Sequence, residues 1–154
     1  MLKIISGGQT GVDRAALDVA LKLGLPCGGW CPLGRKAEDG MIAASYPLQE
    51  TKSADYAVRT KKNVTTSDGT LIMTKGKPVG GTALTIDFAN QLNKPLLVVD
   101  LHQSTDVPHL SPWIHQNSIK VMNVAGPRES QQPGFYSEAK TILEKLLQQY
   151  MQNI

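Results

Sequence analysis

Leu2-Lys3-Ile4-Ile5-Ser6-Gly7-Gly8-Gln9-Thr10-Gly11-Val12-Asp13 is a short apolar run that stops at glycines and then resumes with helical periodicity. A strand of a parallel sheet reads this way, because helices cover both of its faces. From Val12 to Leu23, the residues Val12, Ala15, Ala16, Val19, Ala20 and Leu23 recur at helical spacing. Lys22 lies in the last turn and Gly24 follows as a stop signal. The chain therefore opens strand, glycine turn, helix.

The same grammar repeats downstream. Leu25–Cys31 reads as a second strand, Pro32–Gly40 as a polar, turn-rich stretch, and Tyr46–Thr51 as a short edge strand that tolerates Pro47. Ala54–Asn63 has helical character, and Ser67-Asp68-Gly69 forms a turn into a buried strand, Thr70–Thr74. A glycine-rich loop, Lys75–Gly81, leads into a helix over Thr82–Leu92. Asn93-Lys94-Pro95 breaks that helix ahead of the clearest strand, Leu96–Asp100. Val107–Gln116 reads as a helix interrupted by prolines, Ile119–Val124 as a last strand, and Tyr136–Met151 as a closing amphipathic helix. Strands alternating with helices predict a single Rossmann-like α/β domain over residues 1–154, a three-layer sandwich whose mostly parallel sheet carries helices on both faces.

With 154 residues the chain is long enough to bury a sizeable core, and 41% hydrophobic residues is ordinary for a globular protein. An aromatic content of 5% disfavours a stacking platform for single-stranded nucleic acid. The net charge of +3 suits a small anionic ligand better than a long phosphate backbone. No stretch has the length of a membrane span, and the N-terminus lacks the apolar run of a signal peptide. Cys27 and Cys31 provide no disulfide framework. The expected compartment is the cytosol, with no nucleic acid or membrane as partner.

In an open parallel sheet, ligands lie outside the carboxyl ends of the strands, where the strand order reverses. The strands ending in Ser6–Gly11 and in Lys75–Gly81 are expected to border one such crevice. Glycines there admit backbone approach to phosphate oxygens, and helix N-termini supply unpaired N–H groups. The candidate ligand residues are therefore Ser6, Gly7, Gly8, Gln9, Thr10 and Gly11 in the first turn, and Gly80, Gly81 and Thr82 in the second. Arg35 and Arg128, each beside a glycine or proline turn, add positive charge, and Arg59 is an intermediate candidate. Asp100, at the end of a buried strand, either binds a ribose or base edge or caps the turn that follows. Asp13, in the first turn of its helix, either meets the helix dipole or contacts a ligand.

Several chemistries fit poorly. The dinucleotide fingerprint would place its first glycine at Ser6, and no acidic residue closes the second strand, so NAD is not expected. No P-loop motif occurs. The cysteine pair lacks further ligands for a metal, and His102, His109 and His115 have no nucleophile at recognisable spacing, so neither a metal nor a covalent catalyst is expected.

Six blocks resemble the putative molybdenum carrier family: Ile5–Asp13, Gly28-Gly29-Trp30-Cys31-Pro32, Ala37-Glu38-Asp39-Gly40, Ser67-Asp68-Gly69-Thr70-Leu71, Gly80-Gly81-Thr82 and Asn123–Ser130. They run in order and cover most of the chain. The resemblance implies a Rossmann-like fold, a homo-oligomer (dimer or tetramer), and carriage or storage of the molybdenum cofactor, a phosphorylated pterin bearing a dithiolene-bound metal. It also implies molybdoenzymes as recipients. The wider superfamily includes the lonely-guy nucleotide phosphoribohydrolases and nucleotide-ligand sensors. Those hydrolases carry a P-G-G-x-G-T-x-x-E block with a catalytic glutamate. Here the matching stretch is Pro78–Thr85, and Thr85 stands at the glutamate position, where it offers no general base near neutral pH.

The leading expectation is thus a binding protein for a phosphate-bearing pterin or related anion, with Gln9 and Asp100 as partners for the ring and no catalytic residue assigned. The alternatives are cleavage of the N-glycosidic bond of a nucleoside monophosphate, and nucleotide sensing.

Overall fold

Every residue of the strand Gly69–Thr74 (β7) is buried, as the centre of a sheet covered on both faces requires. A computed structural model, describing residues 1–102 and 110–154, places β7 between Leu96–Asp100 (β8) and Val121–Ala125 (β9). Beyond β9 come Lys3–Ile5 (β1) and Cys27–Gly28 (β2), giving one parallel sheet in the order β2-β1-β9-β7-β8. The helices Val12–Leu23 (α1), Leu110–Gln116 (α4) and Phe135–Gln152 (α5) cover one face. The helices Tyr56–Thr66 (α2) and Gly80–Gln91 (α3) pack together on the other. The architecture is the expected three-layer α/β sandwich.

Its main core lies under α1 and α5. Ala15, Ala16 and Val19 of α1 and Ala139, Leu143 and Leu147 of α5 close on Leu71 and Met73 of β7 and Met122 and Val124 of β9. Small residues on α1 let that helix sit close to both the sheet and α5. Among the described residues, no helix is long and apolar enough to cross a membrane.

The strand order holds a surprise. If β9 is counted as the first strand, the sheet reads 3-2-1-4-5, the Rossmann order. The strand that opens this sheet spatially is thus the last one in the chain. The sequence reading sets β1 and β7 on either side of one crevice. Instead β9 stands between them, with Asn123 in register with both Ile5 and Thr70. The reversal of strand order falls between β9 and β7, so the turn after β9, Gly126-Pro127-Arg128, occupies the centre of the crevice.

Local differences have identifiable causes. The expected strand Leu25–Cys31 splits at Gly29, where φ is 126°. A Cβ there would lie 2.2 Å from the Ser6 carbonyl oxygen, so the chain bends away from the sheet. Its second half, Trp30–Cys31 (β3), pairs in parallel with Gln49–Glu50 (β6), all that remains of the expected Tyr46–Thr51 strand. The turn-rich segment contains a small antiparallel pair, Lys36–Ala37 (β4) and Gly40–Met41 (β5). Helix α2 starts at Tyr56 because Asp55 caps it, its Oδ1 accepting from the Ala57 N–H at 2.9 Å. The first residues of the expected Val107–Gln116 helix, and His109, lie outside the described residues.

Two glycines separate packing from function. A Cβ at Gly126 would meet the Met73 carbonyl oxygen at 2.3 Å and Val12 Cγ2 at 2.6 Å, whereas one at Gly81 meets nothing within 4 Å. Gly126→Ala is expected to cost about 1–3 kcal/mol in urea unfolding, as overpacking does. Gly81→Ala should be neutral or stabilise by up to about 1 kcal/mol, by restricting the unfolded chain.

Candidate functional site

Helix α3 begins without a side-chain cap: Val79 precedes it, and Gly80 and Gly81 open its first turn. Gly81 and Thr82 of that first turn, whose N–H groups have no partner within the helix, line a cavity of about 270 Å³ at the carboxyl end of the sheet. Gly81, Thr82 and Thr85 of α3 form one wall, and Tyr56, Arg59 and Thr60 of α2 another. Ala125, Gly126 and Arg128 close it from β9, and Gln9 and Asp13 from the β1–α1 connection. The volume is near the lower end for small-molecule sites.

The two glycine turns differ in kind. The first is filled by its own chain. Ser6 Oγ donates to the Asp13 carbonyl at 2.9 Å. The Gly8 N–H donates to Ser6 Oγ at 3.4 Å, that of Gln9 to Asp13 Oδ2 at 3.3 Å, and that of Thr10 to Gln9 Oε1 at 3.1 Å. A Cβ at Gly7 would lie 2.1 Å from Arg59 Nη1, and one at Gly11 2.3 Å from the Pro127 carbonyl oxygen. These glycines make room for protein groups. Thr10 Oγ1 donates to Glu38 and accepts the Glu129 N–H, so it ties the turn to two loops. Of Ser6–Gly11, the cavity wall includes Gln9 alone. The second turn is open: Gly81 and Thr82 line the cavity, and Gly80, with φ 54°, stands beside it near Gln131.

The remaining candidates divide as well. Arg128 lines the cavity. Arg35 does not: its guanidinium donates to the carbonyls of Ile42, Ala43, Tyr46 and Leu48 at 2.7–3.2 Å and holds the loop after β5. Asp100 caps a turn, its Oδ1 accepting from the N–H groups of Gly76 at 3.0 Å and His102 at 2.9 Å. Those two bonds hold its carboxyl below the usual range. Thr85 Oγ1 donates to the Gly81 carbonyl at 2.8 Å, so its hydroxyl is spent within α3.

What the sequence reading undervalues is the wall contributed by α2. Tyr56, Arg59, Thr60 and Asn63 recur at helical spacing on one face, a polar stripe where a core stripe would be apolar. That stripe was the available signal. Arg59 Nη1 lies 3.3 Å from Asp13 Oδ2, and the side chains are only 14% and 5% exposed. Burial pushes the Asp13 carboxyl up, with the Arg59 guanidinium and the Gln9 N–H partly opposing it. The Nε of Arg59 is buried without a partner, a condition that costs about 1–3 kcal/mol unless something else accepts the bond. The Tyr56 ring collects cations: Lys36 Nζ at 4.3 Å, Arg59 Cζ at 5.5 Å and Arg128 Cζ at 6.0 Å from its centroid. Among the described residues, no group of three or more His, Cys, Asp or Glu side chains is placed to hold a metal ion. Arginine donors, helix N–H groups and hydroxyls around one opening are groups of the kind that can hold an anion.

Residues 4–147 match the circularly permutated YpsA SLOG family. The chain is also similar to a solved structure, a putative molybdenum carrier protein from Syntrophus aciditrophicus SB. The two are 47% identical, with a TM-score of 0.93 over 96% of this chain and 95% of that one. No curated protein matches the chain.

The Asp13–Arg59 pair makes a prediction about stability. Because the folded-state pKa of Asp13 is raised, stability falls as pH rises from the unfolded value near 3.8 through the folded one. Removing the guanidinium raises the folded pKa further and widens that window. Arg59→Met is therefore expected to lose about 3 kcal/mol at pH 7 relative to the parent, and clearly less at pH 4.5, in paired denaturant titrations. An equal deficit at both pH values would mean that the pair carries no buried charge.

Proposed function

Because the chain belongs to the circularly permutated YpsA SLOG family, and its Syntrophus relative is called a putative molybdenum carrier, we propose that it holds a phosphate-bearing ligand of the molybdenum-cofactor type. In this reading it is a carrier or store and not a catalyst. One observation supports it most: the uncapped first turn of α3 lines one cavity together with Arg128 and with Arg59, whose buried Nε has no partner. A phosphate bound there would accept from the first N–H groups of α3, from Thr82 and from Arg128, and its charge would be favoured by the helix dipole. The ring of the ligand would lie toward Tyr56 and Gln9.

Thr85 weighs against the hydrolase alternative, since the cavity has no carboxylate at the position where the related enzymes carry glutamate. The carrier reading also places the protein in the cytosol, as a homo-oligomer that delivers its cargo to molybdoenzymes. Val79, Leu92 and Val98, all exposed near α3 and β8, support self-association there.

Protein purified under mild conditions from molybdate-supplied cells should release a phosphorylated pterin or a nucleotide on denaturation, detected by mass spectrometry. Arg128→Ala should retain at least tenfold less of it while unfolding at nearly the same temperature. Protein free of any such species, and showing no thermal shift with nucleotides or molybdate, would refute the proposal.

A further inference from the structure

The cavity is walled mainly by donors and positive charge, and two carboxylates, Asp13 and Asp55, also line it; Asp55 Oδ1 is engaged in capping α2, accepting from the Ala57 N–H. Asp13 presents a carboxylate that is 4% exposed, at the floor between α1 and α2. Its Oδ2 accepts from the Gln9 N–H and from Arg59 Nη1, each at 3.3 Å, and the backbone N–H of Gly7 also favours the carboxylate. No hydrogen bond reaches Oδ1 among the described residues. A carboxylate that served only to neutralise Arg59 would engage the guanidinium fork with both oxygens, as Asp39 does with Arg14 at 2.6 and 3.1 Å. Asp13 makes one long contact with Arg59 and leaves the second oxygen free.

Beside a site for phosphate, a free buried carboxylate oxygen has two consequences. It repels a bare oxyanion, and it requires hydrogen-bond donors from whatever fills the cavity. We infer that Asp13 is a specificity-determining residue whose Oδ1 accepts from the N–H and amino edge of a ligand heterocycle, so that the cavity selects a phosphorylated amino-heterocycle over free oxyanions such as molybdate or phosphate. The edge in question is that of a 2-aminopyrimidin-4-one ring, which guanine and pterins share. The inference rests on the reading of the cavity as a phosphate-ligand site, and it assigns the ring contact to Asp13 in place of Asp100, whose Oδ1 is engaged in its own turn.

The test is titration calorimetry with GMP, IMP, inorganic phosphate and molybdate. IMP lacks the 2-amino group and is otherwise the same anion. The intact protein should bind GMP about tenfold or more tightly than IMP, the discrimination expected of one hydrogen bond to a charged group. Either inorganic anion should bind more weakly still. In Asp13→Asn, the side-chain carbonyl can stay on Arg59 and the Gln9 N–H, which turns the amide NH2 toward the ligand. The GMP-to-IMP ratio should then fall to about one, and inorganic phosphate should bind more tightly than to the parent. Arg128→Ala should weaken GMP and IMP alike and keep their ratio. An intact protein that binds GMP and IMP equally would overturn the role of Asp13 while leaving the phosphate site standing, and this measurement needs no variant. Unchanged discrimination in Asp13→Asn would overturn it too. No binding of any of the four probes by the intact protein would overturn both the inference and the function on which it rests.

Discussion

The guanidinium of Arg59 lies over the bare Cα of Gly7 and reaches the carboxylate of Asp13. This contact joins α2, on one face of the sheet, to the first turn of α1, on the other, through the end of β1. It demands a glycine at residue 7, because a methyl group would overlap the guanidinium. It also positions two side chains that line the cavity, Asp13 and Arg59, the latter with a buried Nε that has no partner. The strain of burying both charges is accepted at one place, and the rest of the site is arranged around it.

The sheet supplies the frame. Placing β9 between β1 and β7 brings Gly126-Pro127-Arg128 to the point where strand order reverses, and ligands bind there in open α/β sheets. The β1–α1 turn is displaced one strand along and becomes packing material for this central loop: the Val12 N–H donates to the Pro127 carbonyl, and Glu38 joins Thr10 to Ser130. The hydrogen bonds from Ser130 and Thr10 draw the Glu38 carboxyl below its usual range. Two of the three glycine-bearing turns are thus packed against each other, and the one before α3 opens onto the cavity.

Layers, element types and the open turn at Gly80–Thr82 were legible in the sequence, because apolar runs, helical stripes and glycine stops report local structure directly. Strand order was not, since nothing in Ile119–Val124 says which neighbours it pairs with. That gap misplaced the crevice by one strand and made Ser6–Gly11 look like a cradle. Arg35 and Asp100 illustrate a different limit. A charged residue after a strand reads the same whether its partners are a ligand or backbone groups of its own loop, and here both found backbone. The polar stripe on α2 was visible, but its direction depended on α3 packing beside it.

The placement of β9 also bears on how the chain assembles as it leaves the ribosome. The inner edge of β1 has no partner until residues beyond Val121 emerge, and the same is true of β7 on its β9 side. The nascent chain can form the β7–β8 half and the β1–β2 half, but each waits with an open edge for a strand made near the end of synthesis. Closure of the sheet, burial of Leu71 and Met73, and completion of the cavity by Arg128 then coincide. Long-range pairing of this kind slows folding and leaves edges exposed to other chains in the meantime. Translation products truncated before Val121 would therefore have not a weakened cavity but none at all, so the cavity exists only in chains carried past β9.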